Sequence, residues 1–352
     1  MRSLIFGDLH SHNYREFSKL DKNGVNTRLL EGIKCLAQIT LSGLEEEVDE
    51  IRFLGDLYHL KNNLDSQVIQ LTVNAMREMA EHFHILLVPG HHDLYMWSTH
   101  PIMLELLREF SDNITVINKP GWYKRKDGNF YIEPCTRKVS DLMKRIETVP
   151  TVPENSIFLG HQDLIGMEYG GYKVEKGLDS EILSKKFKYS FVGHYHSPRT
   201  INKNVISVGA PLQHNFNDAA EINSDSDFNR KARRGWWIFD SDKSKVEFIT
   251  NKEAPEFIDY IYDPEKKEKG FIPGDCKKDY YRIKVIGNHE LPERLQRINW
   301  KRVSYELRCV KKGRTTISFS DKKEDLLMKY VEVKAEKHLD KKQLVEMGRE
   351  YL

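Results

Sequence analysis

Apolar residues recur along the first hundred positions in two alternating rhythms. Leu4 to Phe6, Ile51 to Leu54 and Ile85 to Val88 are short continuous runs with the length of buried strands. Between them the spacing becomes helical: Leu29, Leu30, Ile33, Leu36 and Ala37 from Asn26 to Leu41, then Val68, Ile69, Leu71, Thr72, Met76 and Met79 from Asp65 to His82. Asn26 and Asp65 are residue types that cap helix starts. Strands alternating with helices predict a mainly parallel sheet. Ile157 to Leu159 and Phe191 to Val192 are two further short apolar stretches. Hairpins intervene: Trp122 to Ile132 turns at Asp127-Gly128, Val205 to Val208 reads as a strand, and Gly235 to Asp240 pairs with Val246 to Thr250. The expected fold class is α/β, two packed sheets flanked by helices.

The pattern then changes. Between Ala254 and Asp279, Pro255, Pro264, Pro273 and mixed charges read as a linker, so the division is a main domain 1–252, a linker 253–279, a small α+β capping domain 280–320 and a helical C-terminal segment 321–352. Within the capping domain, Tyr280 to Ile286, Pro292 to Ile298 and Val303 to Val310 read as strand, helix, strand. In the last segment Leu326, Leu327, Tyr330 and Val331, then Leu344, Val345 and Met347, form a modest apolar stripe. It fits a docking helix, or packing on the protein's own domain.

Composition narrows the class. The 352 residues are 39% hydrophobic and 31% charged, polar but not a disordered composition. Cys35, Cys135, Cys276 and Cys309 stand far apart, which suits reduced thiols rather than a disulfide or zinc framework. No apolar run approaches membrane-spanning length, and Met1 leads directly into the first strand, so a soluble cytoplasmic protein is expected. Net charge is +2 overall but uneven, with 24 Lys and Arg against 19 Asp and Glu after Asn251 and 31 against 34 before it. In the basic part Arg297, Lys301, Arg302, Arg308, Lys311, Lys312 and Arg314 meet only Glu306 as a counter-charge. This cluster suits phosphate contacts or a solvated face, and both readings stay open.

The chemistry lies at the ends of the strands. Asp8-Leu9-His10, Gly55-Asp56-Leu57-Tyr58-His59, Gly90-His91-His92-Asp93, Gly160-His161 and Gly193-His194-Tyr195-His196 each close an apolar stretch. In an open α/β sheet that is where sites are assembled. A lone histidine after a strand is usually structural, and each motif alone would be turn chemistry. Five in succession point to one nitrogen and oxygen site, suited to manganese, iron or zinc rather than calcium. His12, His84, His100 and His214 lie outside the motifs and read as ordinary histidines.

In order and content these motifs resemble those of the calcineurin-like metallophosphoesterases, over roughly Met1 to Thr250. Gly55 to His59 with Lys61-Asn62-Asn63, and Gly193 to Pro198 before Ser207-Val208-Gly209-Ala210-Pro211, look most like the SbcD-type DNA repair nucleases and their phage counterparts. The resemblance implies one metal held by Asp8, His10, Asp56 and His196, and a second held by Asp56, His91, His161 and His194, with Asp56 as the bridge. His91 stands where the family has Asn. The resemblance further implies His92 as the catalytic histidine, Asp93 orienting its ring, and His59 as an additional active-site histidine. The implied cofactors are two divalent ions, Mn2+ first, with Mg2+, Fe2+ and Zn2+ as alternatives. The implied function is a DNA exonuclease/endonuclease subunit acting at DNA ends in recombination and repair. Its partners would be DNA, an SbcC-type SMC-like ATPase and a second copy of itself, in a bacterial cytoplasm or a phage-infected host. The alternative is a stand-alone phosphatase or nucleotide phosphodiesterase.

Overall fold

Strand β1, Arg2–Phe6, is buried on both faces, and its alternation assigns the faces to different layers. Leu4 and Phe6 pack towards helices, while Ile5 points between two sheets. In the computed structural model, which describes residues 1–94, 102–136, 139–148, 152–153, 155–169, 172–223, 233–262, 278–286 and 303–308, the same logic repeats through two six-stranded sheets. The first places β1 beside β2 (Glu50–Phe53), β3 (His84–Leu87) and β4 (Ile114–Val116), all parallel. The second holds β5 (Gly121–Arg125), β6 (Gly128–Glu133), β7 (Ile157–His161), β10 (Tyr189–Gly193), β11 (Arg199–Asn202) and β12 (Val205–Ser207). β8 (Glu168–Tyr169) and β9 (Tyr172–Lys173) form a small ribbon outside it.

Helices cover both outer faces. α1 (Thr27–Glu45), α2 (Ser66–His82) and α3 (Ile102–Arg108) bury Leu36, Ile39, Met76, Met79 and Leu104 against the first sheet. α4 (Val139–Thr148) and α5 (Ser180–Lys186) bury Leu142, Ile146 and Leu183 against the second. Asn26 accepts from the Arg28 and Leu29 amides and Asp65 from that of Gln67, so both expected capping residues start their helices. Between the sheets lies an apolar layer that includes Ile5, Leu54, Val88, Ile132, Leu159, Phe191 and Phe239. The two expected hairpins form, β5 with β6 and β14 (Gly235–Asp240) with β15 (Lys245–Thr250).

A third sheet departs from expectation. β13 (Ala220–Asn223), β16 (Phe257–Tyr262), β17 (Tyr280–Ile286) and β18 (Val303–Arg308) run parallel in that order. The stretch 253–279, read as a linker, therefore contains a full strand. Its polarity misled: Asp259 is buried, paired with Arg282 at 2.7 Å and Lys284 at 2.5 Å on the neighbouring strand. The sheet also takes β13 from inside the 1–252 range. The helix expected at 292–298 and the segment 321–352 lie outside the described residues.

Candidate metal centre

All five motifs emerge at the carboxyl ends of β1, β2, β3, β7 and β10, on one edge of the paired sheets. The β1 and β2 loops run together, the His10 amide donating to the Asp56 carbonyl at 3.0 Å and Ser11 to Leu57 at 2.8 Å. Asp8, His10, Asp56 and His194 hold positive φ angles of 52°, 48°, 61° and 104°. Side chains other than glycine rarely occupy that region, and such strain concentrates at functional sites. Neighbouring glycines are required by crowding. A Cβ on Gly90 would stand 2.2 Å from Asp56 Oδ1, and one on Gly193 would stand 2.2 Å from the Leu54 carbonyl and 2.8 Å from His161 Nδ1.

Asp56 is at the centre. It is fully buried, and among the described residues no hydrogen-bond donor satisfies its Oδ2. That atom instead faces three imidazole nitrogens: His91 Nδ1 at 2.9 Å, His161 Nε2 at 3.4 Å and His10 Nε2 at 3.7 Å. The nitrogens come in pairs, His10 Nε2 with His196 Nε2 and His91 Nδ1 with His161 Nε2, each 3.2 Å apart. Two nitrogens about 2.1 Å from one cation at near-tetrahedral angles stand roughly that far apart. Asp8, His10 and His196 form one cluster of ligand atoms, and His91, His161 and His194 another. A buried carboxylate between two imidazole pairs fits two divalent cations.

Outer contacts fix the rings. His161 Nδ1 is 2.7 Å from the Leu54 carbonyl, which leaves Nε2 for the centre. His196 Nδ1 lies 3.1 Å from Asp218, which also accepts from the His214 amide at 2.9 Å. His214, read as an ordinary histidine, is buried with Nε2 2.9 Å from the Asp8 carbonyl. Asp218 and His214 were outside the expected set, and the signal for them was their place in the loop after β12, at the same sheet edge. His194 places Nε2 3.0 Å from Asp163, a second supporting carboxylate absent from the expected set. His12 approaches His59 rather than the cluster, with ring centroids 5.1 Å apart. His84 lies at the other end of the sheet against Arg125, and His100 is outside the described residues.

Electrostatics follow from this packing. Burial opposes charge on His161, but the negative charges of Asp56 and Asp8 beside it lift it to about 10. Asp56 is held well below the usual carboxylate range, since His161 and the other imidazoles outweigh its burial. Burial pushes His92 down to about 4 and keeps it neutral.

His92 borders a cavity of about 530 Å³ that also includes His10, His59, His91, His194 and Lys173. Its Nδ1 makes a short hydrogen bond to the His59 carbonyl, so Nε2 is the free nitrogen. The expectation that Asp93 orients this ring is not met. Asp93 is buried and accepts the backbone amides of Asp56 at 2.7 Å, Leu57 at 3.0 Å and Gly90 at 2.8 Å. A carboxylate committed to three amides shapes the loop that carries Asp56. The His59 ring stacks on that of His92 at 17° with centroids 5.6 Å apart. Of the basic residues, Arg308 lies in β18, and Arg297, Lys301, Arg302, Lys311, Lys312 and Arg314 lie outside the described residues.

No protein-family model matches the chain. Exonuclease subunit 1 of Enterobacteria phage T4 is 23% identical over 261 residues, 71% of this chain and 68% of the phage protein. That likeness joins the five motifs and the paired-imidazole centre. Motifs, centre and likeness together are those of a metal-dependent phosphoesterase. Solved structures similar to this chain include TT1561 of Thermus thermophilus, with TM-score 0.43, 11% identity, and coverage of 71% of this chain and 98% of that one. Another is a dimetal phosphatase from Danio rerio, with TM-score 0.40, 9% identity, and coverage of 68% and 91%. Among the described residues no helix is long and apolar enough to cross a membrane.

Proposed function

We propose that the chain is a calcineurin-like metallophosphoesterase, a DNA nuclease subunit that hydrolyses phosphodiester bonds at DNA ends and works with an SbcC-type ATPase. The observation that carries the reading is Asp56 Oδ2, buried without a donor between two imidazole pairs, with His92 beside it. Asp8, His10, Asp56 and His196 would hold one divalent ion, and Asp56, His91, His161 and His194 the other. Such ions supply a deprotonated water and neutralise charge on the phosphoryl oxygens. Mn2+ is the preferred ion, because oxygen and imidazole donors together suit it.

The protein's own groups account for the rest. His92, neutral and held through its Nδ1–H, presents the lone pair of Nε2 to the cavity, so it takes up a proton there from a water molecule and passes it to the leaving-group oxygen. His59 backs its ring and closes the cavity on that side. Lys173 lines the same cavity and would meet a phosphate. The sequence likeness to a phage exonuclease subunit, together with the basic run around Arg308, favours a polyanionic substrate over a small phosphoester.

The test is one protein assayed on two substrates. The parent with Mn2+ should degrade end-labelled duplex DNA and also cleave bis(p-nitrophenyl) phosphate. His92→Ala should retain both metals by elemental analysis while losing roughly 100-fold or more of each activity. Hydrolysis of phosphomonoesters without any DNA cleavage would replace the nuclease by a phosphatase.

A further inference from the structure

We infer that the cleft on the far side of His92 from the metal cavity is a binding site for an unstacked nucleobase of the substrate. The inference rests on the nuclease reading and adds a substrate contact that the two-metal centre does not supply. The cleft has a volume of about 410 Å³, within the range of small-molecule sites, and His92 and Asp93 form its inner wall. His92 also borders the metal cavity, so the two spaces are neighbours across one imidazole. A phosphodiester held at the centre therefore has one of its two nucleosides at this opening.

The lining selects the ligand's chemistry. Leu60, Leu64, Ile69 and Met103 give apolar walls, and Asn62 and Asn63 add amides that both donate and accept hydrogen bonds. The Asp93 carboxylate is turned to three backbone amides. Lys61 also lines the cleft and suits a phosphate beside the base, while a flat ring with a hydrogen-bonding edge matches the apolar walls and amides together. Leu60 is 36% exposed at the mouth, a large apolar side chain left facing solvent beside the candidate catalytic histidine. A base laid against it would cover that surface.

The test compares two inhibitors of bis(p-nitrophenyl) phosphate hydrolysis, deoxyadenosine 5′-monophosphate and 2-deoxyribose 5-phosphate, which differ only in the base. In the parent the nucleotide should inhibit roughly tenfold or more tightly than the sugar phosphate. That ratio should collapse towards unity in Leu60→Asn, which removes the apolar wall, and in Leu60→Trp, which fills the cleft. Leu60 lies at the surface, and circular dichroism checks that both variants fold. Equal inhibition by the two ligands in the parent, or a ratio that survives both substitutions, overturns the proposal. DNA cleavage is scored in parallel: a base-dependent ratio without cleavage keeps the cleft and removes the nuclease, and cleavage without the ratio does the reverse.

Discussion

Strand β2 buries charge at both ends and handles it in opposite ways. At its amino end Glu50 and Arg52 are 2% and 0% exposed. Arg52 reaches Asp127 at 2.5 Å and lies 4.4 Å from the centre of the Phe130 ring, while Arg125 reaches Glu50 at 2.8 Å. Carboxylates and guanidinium groups there neutralise each other within the protein. At the carboxyl end Asp56 and Asp8 are also fully buried, but what faces them is imidazole rather than guanidinium. In the metal-free protein a proton on His161 offsets part of that charge, and a cation would take the proton's place. Guanidinium groups set against carboxylates mark structure; imidazoles that can exchange a proton for a cation mark a metal site.

The sharpest way to break this contrast is Asp56→Asn. Removing the shared charge should drop bound metal below one equivalent and lower hydrolysis by roughly 1000-fold or more, while the fold persists. Elemental analysis beside kinetics decides it, and two retained equivalents would refute the bridge. Arg52→Met is the mirror experiment. It strands Asp127 while Arg125 still holds Glu50, so denaturant unfolding should show a loss of about 3–5 kcal/mol. Metal content should stay at the parent value, and a variant that lost metal as readily as stability would merge the two ends into one network.

The contrast was only half legible in the sequence. The carboxyl-end cluster was visible because Asp8, His10, Asp56, His161 and His196 follow apolar runs, and strand ends converge in a parallel sheet. The amino-end cluster was not, because Asp127 read as a turn residue, and only the folded β5–β6 hairpin brings it to Arg52 across 75 positions. The same limit hid Asp218 and His214, whose value depends on contacts to His196 and Asp8. It misassigned Asp93, since spacing shows that two residues are adjacent but not which backbone amides a carboxylate turns towards. Strand β16 was lost for a different reason. Its Asp259 reads as solvent-facing until Arg282 and Lys284 arrive from β17.

A pH titration sharpens the comparison at smaller amplitude. His161 is lifted from 6.5 to about 10 in the folded metal-free protein, so the stability it contributes is complete below about 6.5 and lost as pH rises towards 10. A cation on the same nitrogen must displace that proton, so metal affinity should rise over the same window. Thermal scans with chelator and with Mn2+ should therefore show a gap in melting temperature that widens from pH 6.5 to 10. A narrowing gap would exclude His161 as a ligand. His84, beside Arg125 at the amino end, is lowered by its burial and by that guanidinium rather than raised, so Arg52→Met should keep the widening gap above pH 6.5.

The smallest expected effect is His91→Asn, and it asks how specific the carboxyl-end cluster is. His91 Nδ1 lies 2.9 Å from Asp56 Oδ2 and 3.2 Å from His161 Nε2, inside the space a second cation would share. An amide oxygen at this position is a harder, neutral donor on a shorter side chain, so it supplies a ligand without altering charge. Metal count should therefore stay at two, and activity with the best ion should stay within about threefold of the parent. What should change is the ranking of ions, with Mn2+ and Mg2+ gaining on Zn2+ because oxygen suits them better than imidazole does. Steady-state rates with each ion, after loading metal-free protein, measure that ranking. An unchanged ranking at two equivalents would place His91 outside the cation's reach, and loss of one equivalent would mean that only the longer imidazole can span the gap.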